Sequence, residues 1–176
     1  MFDPTAFDNM KVVIEGALYD KDISGEIVII DRNDLMNMAK MSRLFDVSFQ
    51  LPNRSCTAKF EMESKLSNLA AELLSNEVIE QHAGCFVRLE FMLEHEEKLD
   101  YQTIKETLMD IWGAARKISL TVHKNPLEMN KTISTIITVK FDRLITEDQL
   151  DDLVEMTNFM KKTLELLYLH SLEQIE

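Results

Sequence analysis

Arg43-Leu44-Phe45-Asp46-Val47-Ser48-Phe49-Gln50-Leu51, then Pro52-Asn53-Arg54-Ser55, then Cys56-Thr57-Ala58-Lys59-Phe60-Glu61-Met62-Glu63 is the stretch whose reading decides the fold. Phe45, Val47, Phe49 and Leu51 share one parity, and Asp46, Ser48 and Gln50 share the other. The second run repeats the pattern, with Cys56, Ala58, Phe60 and Met62 against Thr57, Lys59 and Glu61. A period of two with one polar side predicts half-buried strands. Strands of that kind belong to an antiparallel sheet with one face on the core and one in water. Pro52 and Asn53 supply the turn between them.

The same alternation recurs downstream. Over 85–94, Cys85, Val87, Leu89, Phe91 and Leu93 point inward and Arg88 and Glu90 outward, with Phe86 and Met92 as apolar exceptions on the outer side. Over 118–124, Ile118, Leu120 and Val122 alternate with Ser119, Thr121 and His123. Over 131–143, Ile133, Thr135, Ile137, Val139 and Phe141 alternate with Ser134, Thr138 and Lys140.

Helices are predicted between these strands. Leu66, Leu69, Ala70, Leu73 and Leu74 form an apolar stripe in a helix over 64–82, which Gly84 ends. Asp100 caps a helix to Arg116 with Tyr101, Ile104, Leu108, Ile111, Trp112 and Ala115 on one side. Thr146-Glu147-Asp148-Gln149 has the form of a capping box opening a last helix to about Ser171. Near the N-terminus, 11–19 and 25–31 read as a hairpin around 20–24, and Asp31 as the cap of a short helix over 33–41.

The expected order is ββα-ββα-βα-ββα. It describes a single α+β domain over 1–176, with a largely antiparallel sheet of about six or seven strands and helices mainly on one face. Four Gly and three Pro leave no linker-like segment, and no family resemblance covers the chain.

The chain has 19 Lys plus Arg and 31 Asp plus Glu, a formal charge of −12. That balance argues against nucleic acid, whose phosphates need clustered cations, and against anionic membranes. No apolar run approaches the roughly 20 residues of a membrane span, and the N-terminus lacks the pattern of a secretory signal. Cys56 and Cys85 are too few for a disulfide framework and read as buried free thiols of a cytoplasmic protein.

Three groups of residues are candidates for function. The outer sheet face gathers Lys59, Glu61, Arg88, Glu90 and His123, a polar surface suited to a small ligand, with Arg88 for an anion and Glu90 or His123 for proton transfer. Asp20, Asp22, Ser24, Gly25 and Asp31 stand at the spacing of a calcium loop, and the segment resembles an EF-hand over those twelve residues. The resemblance implies Asp20, Asp22, Ser24 and Asp31 as metal ligands, with Asp31 in place of the usual Glu. The last helix carries two apolar seams, and Phe159, Leu166, Tyr168 and Leu169 widen its apolar arc beyond one packing face.

Nucleophile elbows, phosphate-cradling glycine loops and dinucleotide fingerprints are missing from the sequence. The expected function is therefore non-catalytic binding. The last helix is expected to meet a second copy or another protein, and no cofactor is expected. A small-ligand or enzymatic use of the polar sheet face, and calcium binding at 20–31, are the alternatives.

Overall fold

Alternation becomes geometry in a six-stranded, wholly antiparallel sheet of order β1-β2-β3-β4-β6-β5. The structure, a computed structural model, describes residues 6–74, 82–96, 99–127 and 132–172. Its elements are α1 (Ala6–Ile23), β1 (Val28–Asn37), β2 (Ser42–Gln50), β3 (Thr57–Ser64), α2 (Leu66–Leu73), β4 (Cys85–His95), α3 (Tyr101–Trp112), β5 (Lys117–Lys124), β6 (Ile133–Ile145), a 3-10 turn (Glu147–Gln149) and α4 (Leu150–Leu172). This is the expected α+β class, with α1, α3 and α4 on one face of the sheet. No described helix is long and apolar enough to cross a membrane.

The inward parity of β2, β3, β4 and β6 makes the core. Phe45, Phe49, Phe60, Met62, Leu89 and Phe91 are fully buried, packed under Leu153, Met160, Leu164 and Leu167 of α4. α4 runs over β3 and β4, with α1 beside it on the β1 flank and α3 on the β5 flank. Cys56 and Cys85 are free thiols inside this layer, and burial pushes the Cys56 thiol up to about 12 and raises that of Cys85 as well.

Residues 11–19 are helical, not a strand. Phe7, Met10, Ile14 and Leu18 are buried at helical spacing, and this stripe outweighs the β-branched run Val12-Val13-Ile14. The helix ends in a Schellman motif: the Glu26 amide donates to Lys21 O at 2.9 Å and the Gly25 amide to Asp22 O at 3.0 Å. Gly25 takes φ +77° there, so it is a helix-ending residue and not the turn of a hairpin.

Residues 33–41 form no helix; β1 runs through Asn37 and turns into β2. Asn37 Oδ1 accepts from the amides of Ala39 and Lys40, both at 3.1 Å, and Met41 takes φ +52° to complete the turn. A bulge between Ile29 and Asp31 shifts the strand's parity, placing Arg32 and Asp34 on the helix side opposite Val47 and Phe45. α1 receives them. Arg32 donates to Tyr19 Oη at 2.9 Å and lies 3.1 Å from Glu15, and Asp34 lies 2.6 Å from Lys11. The real order thus begins α-βββ rather than ββα-ββ.

Three further details differ from expectation. α2 closes at Leu73, with Leu74 extended, and buries Asn68 and Ala71 while Leu66, Leu73 and Leu74 are exposed. Of the helix expected over 64–82, residues 75–81 lie outside the described residues. α3 ends at Trp112, where Gly113 at φ +83° turns the chain away. Thr146 makes no side-chain capping bond; the Gln149 amide donates to Thr146 O at 3.0 Å, and the Gln149 side chain reaches Asp152. Asp100, by contrast, caps α3 as expected, accepting from the amides of Gln102 and Thr103.

Candidate functional site

The face of the sheet opposite the helices is organised by register into transverse rows. One row crosses all six strands as Asn33, Asp46, Glu61, Arg88, Lys140 and Lys117. The next reads Asp31, Ser48, Lys59, Glu90, Thr138 and Ser119. In the first row the acids stand on β2 and β3 and the cations on β4, β6 and β5, whereas the second puts Lys59 on β3 opposite Glu90 on β4. Arg88 and Lys117 both stand opposite Lys140, a like-charge arrangement that strands ordinarily avoid.

Four of the five residues expected here come together. Arg88 lies 2.8 Å from Glu61 and 3.4 Å from Glu90, and Lys59 lies 3.8 Å from Glu61 and 3.6 Å from Asp46. Asp46 also accepts from Asn33 at 3.1 Å. His123 stays apart, exposed on the outer strand β5 in the row of Ser134 and Glu94. Asp46 is 3% exposed and Glu61 8%. Carboxylates this dry require partners, since a buried charge without one costs several kcal/mol. Lys59, Glu61, Arg88, Glu90 and Asp46 therefore spend their charge on one another. The Nε of Arg88 is buried and makes no hydrogen bond. A shallow groove of about 390 Å³ opens at this end of the face, between Lys65, Phe86, Arg88 and Lys140. Asp46 and Asn33 were not singled out from sequence as site residues, although the alternation of β2 places Asp46 on this face.

The calcium-loop residues are dispersed in structural roles. Asp20, Asp22 and Ser24 belong to the last turn and exit of α1, whereas Asp31 lies on β1. Asp22 accepts from the Ile29 amide at 3.2 Å, Ser24 donates to Lys21 O at 3.0 Å, and Asp31 accepts from Asn33 at 3.0 Å. Among the described residues no group of three or more His, Cys, Asp or Glu side chains converges as a metal site. The spacing that resembles an EF-hand arises here from a helix end followed by a strand.

On α4, the second seam is largely taken up by α3. Phe159 packs against Trp112 with ring centroids 5.9 Å apart, Thr163 accepts from the Trp112 indole at 3.1 Å, and His170 lies 3.2 Å from Thr107. Leu166 falls on the same stripe, between Thr163 and His170. Tyr168 turns the other way, beneath the Arg54 guanidinium at 4.1 Å. Leu169, 50% exposed, is the member of the expected interface left most open, with Phe159 at 36%.

Further exposed apolar side chains line the rim of the sheet. β1 is a terminal strand, and Val28, Ile30, Leu35 and Met36 along it, with Met38 and Met41 in the turn, are exposed large apolar side chains. Its helix-facing charges are fixed: Arg43 and Lys11 hold the Asp34 carboxyl down to about 2, first through the Arg43 hydrogen bonds. Arg43 in turn bonds Asp8 at 2.8 Å and lies 4.5 Å over the Phe7 ring.

Comparison with protein families, with characterised proteins and with solved structures finds no match for the chain.

Proposed function

We propose that the protein works by binding rather than by catalysis, and that a second copy of the chain is its first partner, joined along the free edge of β1. The carrying observation is a ten-residue terminal strand that leaves Val28, Ile30, Leu35 and Met36 exposed. A long edge strand with apolar side chains is a template for another strand. Edges are commonly blunted by charge, bulges, proline or a cover. β1 has a bulge at Ile29–Asp31 and the helix-facing charges Arg32 and Asp34, but Val28, Ile30, Leu35 and Met36 stay exposed along it.

Charge selects the arrangement. Antiparallel pairing of two β1 strands about Asn33 sets Arg32 of one copy opposite the partner's Asp34, twice over. The other edge, β5, carries Lys117, His123 and Lys124. Two β5 strands would therefore face like charges, and a β1-to-β5 contact would leave free edges and grow without closing. Mutual neutralisation of Lys59, Glu61, Arg88 and Glu90 speaks against a proton-transfer site on the open face. Two buried thiols suit a reducing, cytoplasmic setting.

Sedimentation velocity across micromolar concentrations tests this. The expected result is a dimer that an Ile30→Lys, Leu35→Lys double variant converts to monomer with its melting temperature within a few degrees of the parent. A parent that stays monomeric throughout overturns the proposal. So does a dimer that survives the double variant but is dissociated by Leu169→Glu, which would place the contact on α4.

A further inference from the structure

We infer that the groove at the junction of α3, α4 and β6 is a binding site for a small aromatic carboxylate. It lies on the helix side of the sheet, away from both the charged open face and the β1 edge, and does not rest on self-association.

Topology makes the opening. β5 begins at Lys117, opposite Lys140, so residues 141–145 of β6 run on without a β5 neighbour. On the β4 side the register jumps between Phe86 and Arg88, which face Leu144 and Lys140. Bulges of this kind commonly re-aim side chains beside binding sites. Phe141, Arg143 and Ile145 consequently face a space that α3 leaves open, because the chain turns away at Gly113.

The walls are aromatic. Trp112 meets Phe141 at 6.2 Å, edge-on at 88°, and Phe159 at 5.9 Å and 62°. Ile111 and Met156 complete an apolar cleft of about 260 Å³. A cavity of about 150 Å³ already takes benzene, so this one has room for a one-ring molecule. The Trp112 indole N–H is already spent on Thr163, so Trp112 offers the ligand only ring surface.

The mouth carries the specificity. Arg116 lies over Phe141 at 4.6 Å, and Arg143 lines the same cleft. Among the described residues neither guanidinium has a carboxylate within 4.0 Å, in a chain with 31 acids and 19 Lys plus Arg. Two guanidinium forks beside an aromatic cleft match a carboxylate on a ring. Asp152 and Glu155 stand on the α4 lip of the same cleft. The arrangement has the usual form of a small-molecule site, apolar walls with a few placed charges.

Trp112 is the single tryptophan, so its fluorescence reports the cleft directly. Phenylacetate is the probe, with phenethylamine as the cationic counterpart and 2-phenylethanol as the neutral one. The expected result is a saturable change in Trp112 emission with phenylacetate and none with phenethylamine. Arg116→Gln and Arg143→Gln should each weaken phenylacetate about tenfold, with unchanged circular dichroism. Arg143→Lys, which keeps charge but loses the fork, should fall between. No saturable response at millimolar phenylacetate overturns the inference, as does equal binding of the three probes. Binding that neither Gln variant alters overturns it too.

Discussion

β3, in the middle of the sheet, turns Ala58, Phe60 and Met62 toward the helices, whereas β1, at the rim, turns Arg32 and Asp34 the same way. On β3 the polar residues Lys59 and Glu61 face away from the helices and pair across strands, with Asp46 and Arg88. On β1 Arg32 and Asp34 face the helix layer, where Lys11, Glu15, Tyr19 and Arg43 meet them, and Val28, Ile30, Leu35 and Met36 stay exposed. One sheet is thus held at its centre by hydrophobic burial and at its rim by an ion-pair seam. The two devices differ in magnitude. Burying a large side chain contributes several kcal/mol, and a partly exposed ion pair contributes about 1 kcal/mol or less. The rim is therefore the weakly fastened part of the fold, and the part free to meet another molecule.

The largest expected effect lies at the centre. Phe60→Ala should lower unfolding free energy by about 3–5 kcal/mol in a urea titration, from lost burial and the cavity left behind. A loss below ~1 kcal/mol would mean that the centre is no better packed than the rim. Next is Gly84→Ala at the entrance to β4. A Cβ there would stand 2.5 Å from the Ile145 carbonyl oxygen, so the β4–β6 contact must shift. The expected cost is about 1–3 kcal/mol by the same titration.

At the rim the numbers shrink. Asp34 titrates near 2 in the folded chain, below the ordinary 3.8, because Arg43 and Lys11 hold its charged form. Its contribution is present above about pH 4 and is lost as pH falls toward 2. Asp34→Asn should cost about 1 kcal/mol at neutral pH, after allowing for solvent screening, and the difference from the parent should vanish in acid. Equal stability of the two at pH 7 would break the comparison. Smallest is Arg32→Gln, on a side chain 47% exposed, expected within about 0.5 kcal/mol of the parent in the same titration.

This contrast also explains what could be read from the chain alone. β2, β3, β4 and β6 are legible because their inward positions bury apolar side chains, so alternation appears within each segment. β1 is not legible beyond Ile30, because Arg32 and Asp34 occupy inward positions that only α1, folded alongside, makes acceptable. α1 carried its signal in Phe7, Met10, Ile14 and Leu18, but Val12-Val13-Ile14 has the stronger local strand character. Gly25 has the same letter in a hairpin, a calcium loop and a Schellman motif; only the helix before it selects the last. The open-face cluster was legible for Lys59, Glu61, Arg88 and Glu90, since parity places them. His123 shares their face, but not their rows, and strand order is not written in any one segment. The Trp112 cleft depends on β6 outrunning β5, a register fact invisible in either strand.

Amide hydrogen exchange at β1 and β5, followed at low and high protein concentration, tests the central claim most directly. Protection of the Val28–Asn37 amides should rise with concentration while that of Lys117–Lys124 stays flat. Two edges that respond alike, or a rise confined to the end of α4 around Leu169, would contradict it.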